Sequence, residues 1–339
     1  MDGMDLQVLA AARRWAAGGL RFALVTVART WGSAPRPAGA WLALREDGRI
    51  EGSVSGGCIE DDLSARMADG RIRGSAPFKL VYGVATEDAI RYGLPCGGTL
   101  ELVVEPAPDA KLLERLAALL EKRQLAARTV DLGSGAVSLV NARPGDALRW
   151  DGQRLTTVHG PQWRLLLIGA GQVSRYLAPM AQALDWAVTV CEPREEYAEG
   201  WDVAGTELLT ALPDDALLAM EPDPRLAVVA LTHDPKLDDM VLLEALKSPA
   251  FYVGALGSRL NNHRRRERLA RHFGLSPVEL ARLHGPVGLP IGSHTPPEIA
   301  VAILAEMTAA KNGVPLGQRA AAPAVPDSAT LDPAACGVA

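Results

Sequence analysis

The stretch Leu165-Leu-Leu-Ile-Gly-Ala-Gly-Gln-Val-Ser174 decides the fold of the second half of the chain. Its apolar beginning predicts a buried strand, its glycines predict a tight turn, and a helix is expected to follow. The next predicted strand, Ala187–Cys191, ends at Glu192. This order of strand, Gly169-x-Gly171, helix and acid is typical of a Rossmann-like dinucleotide-binding domain, in which the second glycine lets the backbone approach a pyrophosphate.

Two residues of this motif set further expectations. Glu192 would accept hydrogen bonds from a ribose diol and disfavour a 2′-phosphate. Ser174 stands where a third glycine or alanine is usual, so we expect it to loosen the packing of the helix on the strand slightly. The motif indicates the fold, but by itself it establishes neither a bound nucleotide nor hydride transfer.

Two later loops are expected at the same edge of the sheet, because ligands of open α/β sheets bind at the carboxyl ends of the strands. Thr232-His-Asp-Pro235 follows the predicted strand Leu226–Leu231, and Gly257-Ser-Arg259 follows Phe251–Leu256. His233 is a candidate proton carrier near neutral pH, although a capping His-Asp turn explains the same pattern.

Basic residues at and after the second of these loops are further candidates. The run Asn262-His-Arg-Arg-Arg-Glu-Arg268 would suit a pyrophosphate or an acidic partner, but a solvated helix face explains most of its arginines. Arg259 is retained because it lies at the loop. The predicted nucleotide contacts of this domain are Gly169, Gly171, Gln172, Val173, Glu192, His233 and Arg259.

The first half carries a glycine-rich stretch, Gly52-Ser-Val-Ser-Gly-Gly-Cys-Ile-Glu-Asp-Asp62, ahead of a helix predicted over Glu60–Ala68. Its glycines and serines predict many free backbone N–H groups, which can wrap an anion. A helix N-terminus also favours negative charge and activates a nearby thiol, so Cys58 is a candidate metal ligand or nucleophile. A turn with a small buried cysteine is the alternative.

A second loop, Leu94-Pro-Cys-Gly-Gly-Thr99, repeats the combination of one cysteine and two glycines ahead of a strand. Two such loops in one small domain favour a site over simple packing. Arg36, held between two prolines in the loop Thr30–Ala40, offers a rigid guanidinium for a phosphate or carboxylate, although a surface arginine on a turn is the simpler interpretation. The candidate cofactor contacts are Arg36, Ser55, Gly56, Gly57, Cys58, Cys96, Gly97 and Gly98, with Cys58 and Cys96 as candidate metal contacts.

Periodicity and turn residues predict the remaining elements. In the first half they are helices over Leu6–Gly18 and Ala110–Gln124, and strands over Phe22–Val27, Ala40–Leu44, Phe78–Val81, Leu100–Glu105, Thr129–Leu132, Val137–Asn141 and Ala147–Trp150, with a hairpin turn at Asp151-Gly152. In the second half they are helices over Val173–Leu184, Pro235–Leu246, Arg259–Phe273, Ser276–Leu283 and Glu298–Ala310, the last two behind capping boxes at Ser276 and Thr295. The predicted fold class is α/β, with a mixed α+β domain over residues 1–158, a Rossmann-like parallel-sheet domain over 159–314, and a disordered Ala/Pro-rich tail over 315–339.

Composition and charge narrow the functional class. The chain has 339 residues, enough for two domains, and its 48% hydrophobic and 22% charged residues are typical of a globular protein. A net charge of −5 argues against binding to nucleic acid or to a membrane surface. The four cysteines are far apart and show neither zinc nor disulfide spacing. Without a recognisable signal sequence or long apolar run, the expected location is the cytoplasm.

Seven segments, taken in order along the chain, resemble the XdhC/CoxI family, the accessory proteins of molybdenum hydroxylases such as xanthine dehydrogenase. The segments are Gly32–Ala40, Gly52–Glu60, Pro95–Gly98, the Gly169–Ser174 turn, Thr232–Pro235, Gly254–Arg259 and Ala281–Ala300. The resemblance covers residues 5–312, which includes both predicted domains.

The resemblance implies a chaperone that binds molybdenum cofactor, protects it while its terminal sulfido ligand is installed, and inserts it into an apo molybdenum hydroxylase. The implied partners are the large subunit of that hydroxylase, a cysteine desulfurase and a cofactor nucleotidyltransferase, and we also expect a homodimer. The cofactor would be molybdopterin or its cytosine dinucleotide form. Cys58 and Cys96 would flank the molybdenum or its labile sulfur, for which thiolates are suitable ligands, and Arg36 would hold an anionic group. The Rossmann crevice would hold a nucleotide, either the dinucleotide arm of the cofactor or NAD.

Two other classes stay open. An NAD-dependent oxidoreductase would use His233 as its acid or base, although the first domain offers no clear set of polar substrate anchors. A scaffold would link the hydroxylase and the desulfurase without touching the cofactor. Whether the chain is itself an enzyme is therefore left undecided, with an accessory chaperone favoured.

Overall fold

A computed structural model shows how these segments fold, and it describes residues 3–31, 36–83, 99–143 and 145–315. The chain divides into two compact units, one of residues 3–165 with 181–188 and the other of residues 166–180 with 189–315. The domain limits proposed from the sequence stay predictions, and the tail beyond residue 315 lies outside the described residues. In the described ranges no helix is long and apolar enough to cross a membrane.

The first unit contains two antiparallel sheets and three of the described helices. Its elements are α1 (Gly3–Ala17), β1 (Phe22–Trp31), β2 (Trp41–Arg45), β3 (Ile50–Gly52), α2 (Cys58–Ala68), β4 (Phe78–Tyr82), β5 (Thr99–Glu105), α3 (Ala110–Glu121), β6 (Ala126–Asp131), β7 (Val137–Asn141), β8 (Arg149–Trp150) and β9 (Arg154–His159). The larger sheet has the strand order β3-β2-β1-β5-β4, and the smaller has the order β7-β6-β9-β8.

Strand β1 is buried on both faces because helices cover both sides of its sheet. Successive side chains of a strand point to opposite faces. Val25 therefore packs with Ile59 of α2 in one core, whereas Leu24 packs with Val8 of α1 and Leu113 of α3 in the other. Double coverage explains why the sequence of this strand is a continuous apolar run instead of an alternating one.

A buried ion pair joins the two sheets of this unit. Glu105 ends β5, Arg128 lies in β6, and both side chains are at most 4% exposed. The guanidinium donates two hydrogen bonds to the carboxylate, from Nη1 to Oε1 at 2.8 Å and from Nη2 to Oε2 at 2.6 Å. The ring of Trp41 lies against both this guanidinium and the buried ring of His159. Burial, together with the charge of Arg128, holds the pKa of His159 well below its ordinary value, so the ring is neutral.

The second unit contains most of a six-stranded sheet whose strands alternate with helices. They are β10 (Arg164–Ile168), α4 (Gln172–Ala183), β11 (Ala187–Cys191), α5 (Glu195–Ala198), β12 (Glu207–Leu209), α6 (Pro213–Ala219), β13 (Leu226–Ala230), α7 (Pro235–Ala245), β14 (Tyr252–Ala255), α8 (Arg259–Phe273), α9 (Pro277–Ala281), β15 (Leu283–His284) and α10 (Pro296–Lys311). The strand order is β12-β11-β10-β13-β14-β15, and the paired strands β11·β12, β13·β14 and β14·β15 are parallel. The order reverses between β10 and β13, as in a doubly wound dinucleotide-binding sheet, so the predicted α/β class is confirmed.

Six elements are absent from the sequence-based prediction, namely β3, β9, β12, β15, α5 and α6. Four of them contain only two to four residues, too few to display a period. The strand β9 follows the predicted Asp151-Gly152 turn, which the β8·β9 pairing confirms. Hydrogen bonds also confirm the capping boxes at Ser276 and Thr295. One shift matters for the site, because α2 begins at Cys58, two residues earlier than predicted.

We expect Arg128→Met to lower the free energy of unfolding by about 3–5 kcal/mol, because it leaves the Glu105 carboxylate buried and unpaired. The exposed pair of Arg154 with Asp131 in the same sheet is a matched control, since the Arg154 side chain is 60% exposed. Arg154→Met should cost no more than about 1 kcal/mol. Urea unfolding of both variants checks this, and equal losses would contradict the role assigned to the buried pair.

Candidate functional site

The glycine-rich loop before α2 folds around a carboxylate of its own chain. Glu60 Oε1 accepts hydrogen bonds from Ser53 Oγ at 2.8 Å and from the backbone N–H groups of Val54, Ser55 and Gly56 at 2.9, 2.9 and 3.1 Å. Glu60 Oε2 accepts from Ser55 Oγ and, at 2.8 Å, from the N–H of Gly57. The expectation of many free N–H groups in this loop is therefore wrong, because Glu60 reaches back from the first turn of the helix and uses them.

The hydrogen bonds keep Glu60 ionised although the residue is only 7% exposed. Burial by itself raises the pKa of this carboxyl, but the bonds from Ser55, Val54 and Ser53 outweigh burial and lower the pKa to about 2. A fixed negative charge thus fills the loop, and an external anion is not received by these amides unless it displaces Glu60.

The same arrangement leaves Cys58 at the surface. Cys58 is exposed, whereas its neighbour Ile59 and the preceding Val54 are both fully buried in the core. The helix α2 places its apolar residues against the sheet and turns its first residue outward. The sequence-based alternative of a small buried cysteine is therefore wrong for Cys58.

A second contact ties α2 to the end of β4. Asp62, one turn after Cys58, accepts hydrogen bonds at Oδ2 from Tyr82 Oη at 2.7 Å and from Arg66 Nε at 2.6 Å. Burial alone raises the pKa of Asp62, but the bonds from Arg66 and Tyr82 outweigh it and lower the pKa. Tyr82 pairs with Leu100 across β4 and β5. The two strand ends that flank residues 84–98 thus meet next to α2.

Several predicted contacts of the first domain stay untested. Cys96, Gly97 and Gly98 lie outside the described residues. Arg36 is described and partly buried, in the turn that ends where the N–H of Val27 binds the carbonyl of Ala40. Among the described residues, no group of three or more His, Cys, Asp or Glu comes together that would hold a metal ion.

In the second unit, the loops after β10 and β13 meet at the point where the strand order reverses. Gly169 has φ +106°, and a Cβ placed on it would lie 3.1 Å from Thr232 Cγ2. A side chain here would thus be strained and crowded, which explains this glycine. Gly171 differs, because a Cβ there would meet nothing within 4 Å. The protein itself therefore places no steric restriction on a side chain at position 171.

The remaining residues of the turn have distinct environments. Gln172, the first residue of α4, is exposed, whereas Val173 is buried, which leaves its backbone N–H as the group to offer a ligand. Ser174 is fully buried, and its hydroxyl donates a 2.6 Å hydrogen bond to the carbonyl of Gly169. The serine closes the turn, contrary to the expectation that it loosens the packing.

Glu192 is fully buried, and its carboxylate is already bound. Oε1 accepts from the N–H and Nε of Arg194 at 3.1 and 2.8 Å, and Oε2 accepts from the N–H of Ala170 at 3.1 Å and from Arg194 Nη2 at 2.8 Å. Burial raises the pKa of Glu192, but these bonds outweigh it and lower the pKa. Arg194 also lies 4.1 Å from the ring centre of Tyr197. The role of Glu192 toward a ribose stays a prediction, and Arg194 is a residue of the crevice that the motif alone did not indicate.

A buried ion pair fixes the loops after β13 and β14. Asp238 Oδ1 accepts from the N–H and Oγ1 of Thr232 at 3.2 and 2.7 Å, and its Oδ2 accepts from Arg265 Nη2 at 2.9 Å. Arg265 Nη1 also donates to the carbonyl of Leu256 at 3.0 Å. Because Thr232 follows β13 and Leu256 follows β14, one pair holds both loops in place.

This pair corrects the interpretation of the basic run in α8 as mainly a solvated face. Arg265 is buried, Arg268 pairs with Asp239 at 2.5 Å, and Arg266 donates to the carbonyl of Leu283. His233, which has φ +63°, and Arg259 are both exposed at this edge. Both side chains are therefore accessible to a ligand, and their contacts with a nucleotide stay predictions.

The two units correspond to two recognisable parts of one class of protein. Residues 15–82 match the sequence profile described as "XdhC and CoxI family", and residues 165–307 match the profile described as "XdhC Rossmann domain". Together the two matches cover more than half of the chain. The protein is therefore a two-part chain with an XdhC/CoxI-type N-terminal unit and a Rossmann unit, and it belongs to the XdhC and CoxI family.

Similar proteins carry related names. A Bacillus subtilis (strain 168) protein, named as a probable subunit of xanthine dehydrogenase, is 28% identical over 311 residues, 84% of this chain and 91% of that protein. The Escherichia coli (strain K12) "Molybdenum cofactor insertion chaperone PaoD" is 28% identical over 297 residues, 85% of this chain and 83% of PaoD. A crystal structure of a Bacillus halodurans protein described as a xanthine dehydrogenase has a TM-score of 0.71 at 23% identity and covers 92% of this chain and 98% of its own. At that identity the likeness concerns the fold alone.

We expect iodoacetamide to alkylate Cys58 in the native protein at pH 8 and to leave Cys191 unmodified until the protein is denatured. Cys191 is fully buried, and burial, with the nearby charges of Glu192 and Asp214, raises the pKa of its thiol to about 12. Peptide mass spectrometry resolves the two positions. Equal native labelling of both cysteines would contradict the exposure assigned to Cys58.

Proposed function

We propose that this protein is a maturation chaperone that carries molybdenum cofactor and delivers it to an apo molybdenum hydroxylase of the xanthine dehydrogenase or aldehyde oxidoreductase type. Membership of the XdhC and CoxI family supports this, as does the similarity to PaoD over most of both chains. The observation that carries the proposal is the exposed thiol of Cys58. It lies at the first position of α2, beside a loop that is rigidly bonded to Glu60.

The cargo would be held mainly by side chains. The loop amides of residues 54–57 are bound to Glu60, so they are not available to a phosphate of the pterin. A thiolate is a suitable ligand for molybdenum or a contact for its labile sulfur. In this proposal Cys58 is the principal contact, Cys96 is a second thiol, and Arg36 binds an anionic group of the cofactor.

Protection of the cofactor during sulfuration is a finer part of the proposal. It requires a sulfur donor, for which a cysteine desulfurase is the partner of suitable chemistry. A nucleotidyltransferase would supply the cytosine dinucleotide form of the cofactor, and the hydroxylase large subunit would receive it. A homodimer is a further part of the proposal.

We expect near-stoichiometric molybdenum and pterin in the wild-type protein purified anaerobically from a host that makes the cofactor. Cys58→Ala should lose most of both, because the thiol is removed while the buried neighbours of α2 are unchanged. Metal analysis and pterin fluorescence provide the measurement. Cys336→Ala is the matched control, because Cys336 lies in the predicted disordered tail of residues 315–339 and the sequence assigns it no role.

Two outcomes would contradict the carrier function. Equal cofactor content in the wild type and in Cys58→Ala would remove Cys58 from the site. Cofactor in neither protein, with hydroxylase and desulfurase still bound, would favour the scaffold alternative, and bound NAD in its place would favour the oxidoreductase.

The Rossmann unit is proposed to bind a nucleotide separately, with its pyrophosphate at the N-terminus of α4. The main support is Gly171, where the protein leaves the space of a side chain empty. Backbone N–H groups at the start of a helix suit a pyrophosphate. NAD and a cytidine nucleotide are the two candidates, and Arg194 and Arg259 would contact the ligand's charged groups.

We expect Gly171→Asp to abolish nucleotide binding without lowering the melting temperature, because its side chain projects into free space and repels phosphate. Gly169→Ala should instead destabilise the fold by about 1–3 kcal/mol, since alanine is strained at this backbone conformation. Isothermal titration with NAD and with CDP, alongside thermal melts, distinguishes the two glycines. If the wild type binds neither ligand, or if Gly171→Asp binds as tightly as the wild type, the nucleotide site at the start of α4 is refuted.

A further inference from the structure

The carboxylate of Glu60 accepts an unusually large number of hydrogen bonds. Six donors converge on its two oxygens, and all six belong to the five consecutive residues 53–57. A carboxylate has about four lone-pair directions, so this set saturates it. Glu60 itself is part of α2, whereas every donor lies in the loop that leads into that helix.

We propose that Glu60 is a positioning residue, an internal anion that holds the loop Ser53–Gly57 in the single conformation that presents the Cys58 thiol to solvent. The role of the thiol as a cofactor contact rests on the proposed function. The claim that Glu60 fixes the conformation of the loop does not depend on any cofactor.

The loop needs such an anchor because of its composition. Glycine loses more conformational freedom on folding than any other residue, and Gly56 and Gly57 directly precede the thiol. Both glycines are exposed, so no core packing fixes them. Val54 at one end and Ile59 at the other are fully buried. The chain between these two anchors is held by the carboxylate.

The bond to Gly57 is the one that acts most directly on the thiol. Gly57 N–H donates to Oε2 at 2.8 Å, together with the Ser55 hydroxyl, whereas the backbone N–H groups of Val54, Ser55 and Gly56 donate to Oε1. Replacing Glu60 by glutamine keeps one carbonyl oxygen for the Oε1 set. It places an NH₂ group opposite the N–H of Gly57, which cannot accept a hydrogen bond. Glu60→Gln therefore releases mainly the residue next to Cys58.

A different role for Glu60 must be separated from this one. An acidic residue in the first turn of a helix is favourable through the helix dipole alone, with no effect on loop conformation. Asp61 offers a matched control, because it is acidic, exposed and in the same turn. No hydrogen bond to its carboxylate is found among the described residues. Asp61→Asn removes the same charge and leaves the loop bonds intact.

The experiment combines hydrogen exchange with cofactor retention in full-length Glu60→Gln, Glu60→Ala and Asp61→Asn. The N–H of Gly57 should exchange at least about tenfold faster in both Glu60 variants, and that of Gly56 only in Glu60→Ala, since a charge-assisted bond is lost, while the amides of α2 after Leu63 stay protected. Asp61→Asn should exchange like the wild type. Sodium acetate, but not sodium chloride at equal concentration, should restore protection in Glu60→Ala by supplying a carboxylate.

The outcomes separate this inference from the proposed function. Faster exchange with acetate rescue, together with lower cofactor retention in the folded Glu60 variants, supports the positioning role. If neither the wild type nor any variant retains cofactor, the proposed function fails. The exchange and acetate data then still test whether Glu60 positions the loop. Hydrogen exchange at the wild-type rate in both Glu60→Gln and Glu60→Ala would overturn the positioning role. Exchange in Asp61→Asn as fast as in the Glu60 variants would also overturn it.

Discussion

A buried carboxylate must be hydrogen-bonded, and this one constraint determines the shape of the functional loops in both units. Glu60, Glu192, Asp238 and Glu306 are each at most 7% exposed. Each accepts bonds from a loop that has no regular partner of its own. Glu306, for example, accepts from Tyr252 Oη at 2.9 Å and from the N–H of Gly288. Because an unpaired charge in these places would be strongly unfavourable, the loops have little freedom to adopt other conformations.

This constraint changes what the loops offer a ligand. A glycine-rich stretch suggests a ring of free N–H donors, and in this protein the donors are already used by Glu60. Two side-chain groups face solvent near these loops, the thiol of Cys58 and the partly exposed guanidinium of Arg194. Beside Gly171 there is open space where a side chain would otherwise project. Recognition by an exposed thiol is consistent with a soft metal or its sulfur, and less so with a simple phosphate.

The two units present different groups to solvent. In the first unit the thiol is at the start of a helix on one face of an antiparallel sheet. In the second unit the crevice is at the reversal of strand order, a position that binds ligands in many α/β proteins of unrelated activity. By itself the fold of the second unit therefore establishes neither a bound nucleotide nor a reaction.

The sequence by itself determined the elements with a clear period and the motifs with a local cause. The strand Ala187–Cys191 and the helix Arg259–Phe273 have the bounds that periodicity predicts, and the turn at Gly169 has the predicted geometry because its cause lies within a few residues. The family resemblance likewise depended on short motifs that sequence displays directly.

Only the tertiary structure decided which polar groups remain available. Glu60 and Glu192 are visible in the sequence, but their partners depend on how the chain returns on itself and on which side chains are buried. Asp238 and Arg265 are 27 residues apart, and no periodicity links them. A hydrogen bond between distant residues is a property of the packed chain, so the sequence indicated the candidate ligands of the site, and the fold decided which of them are already bound.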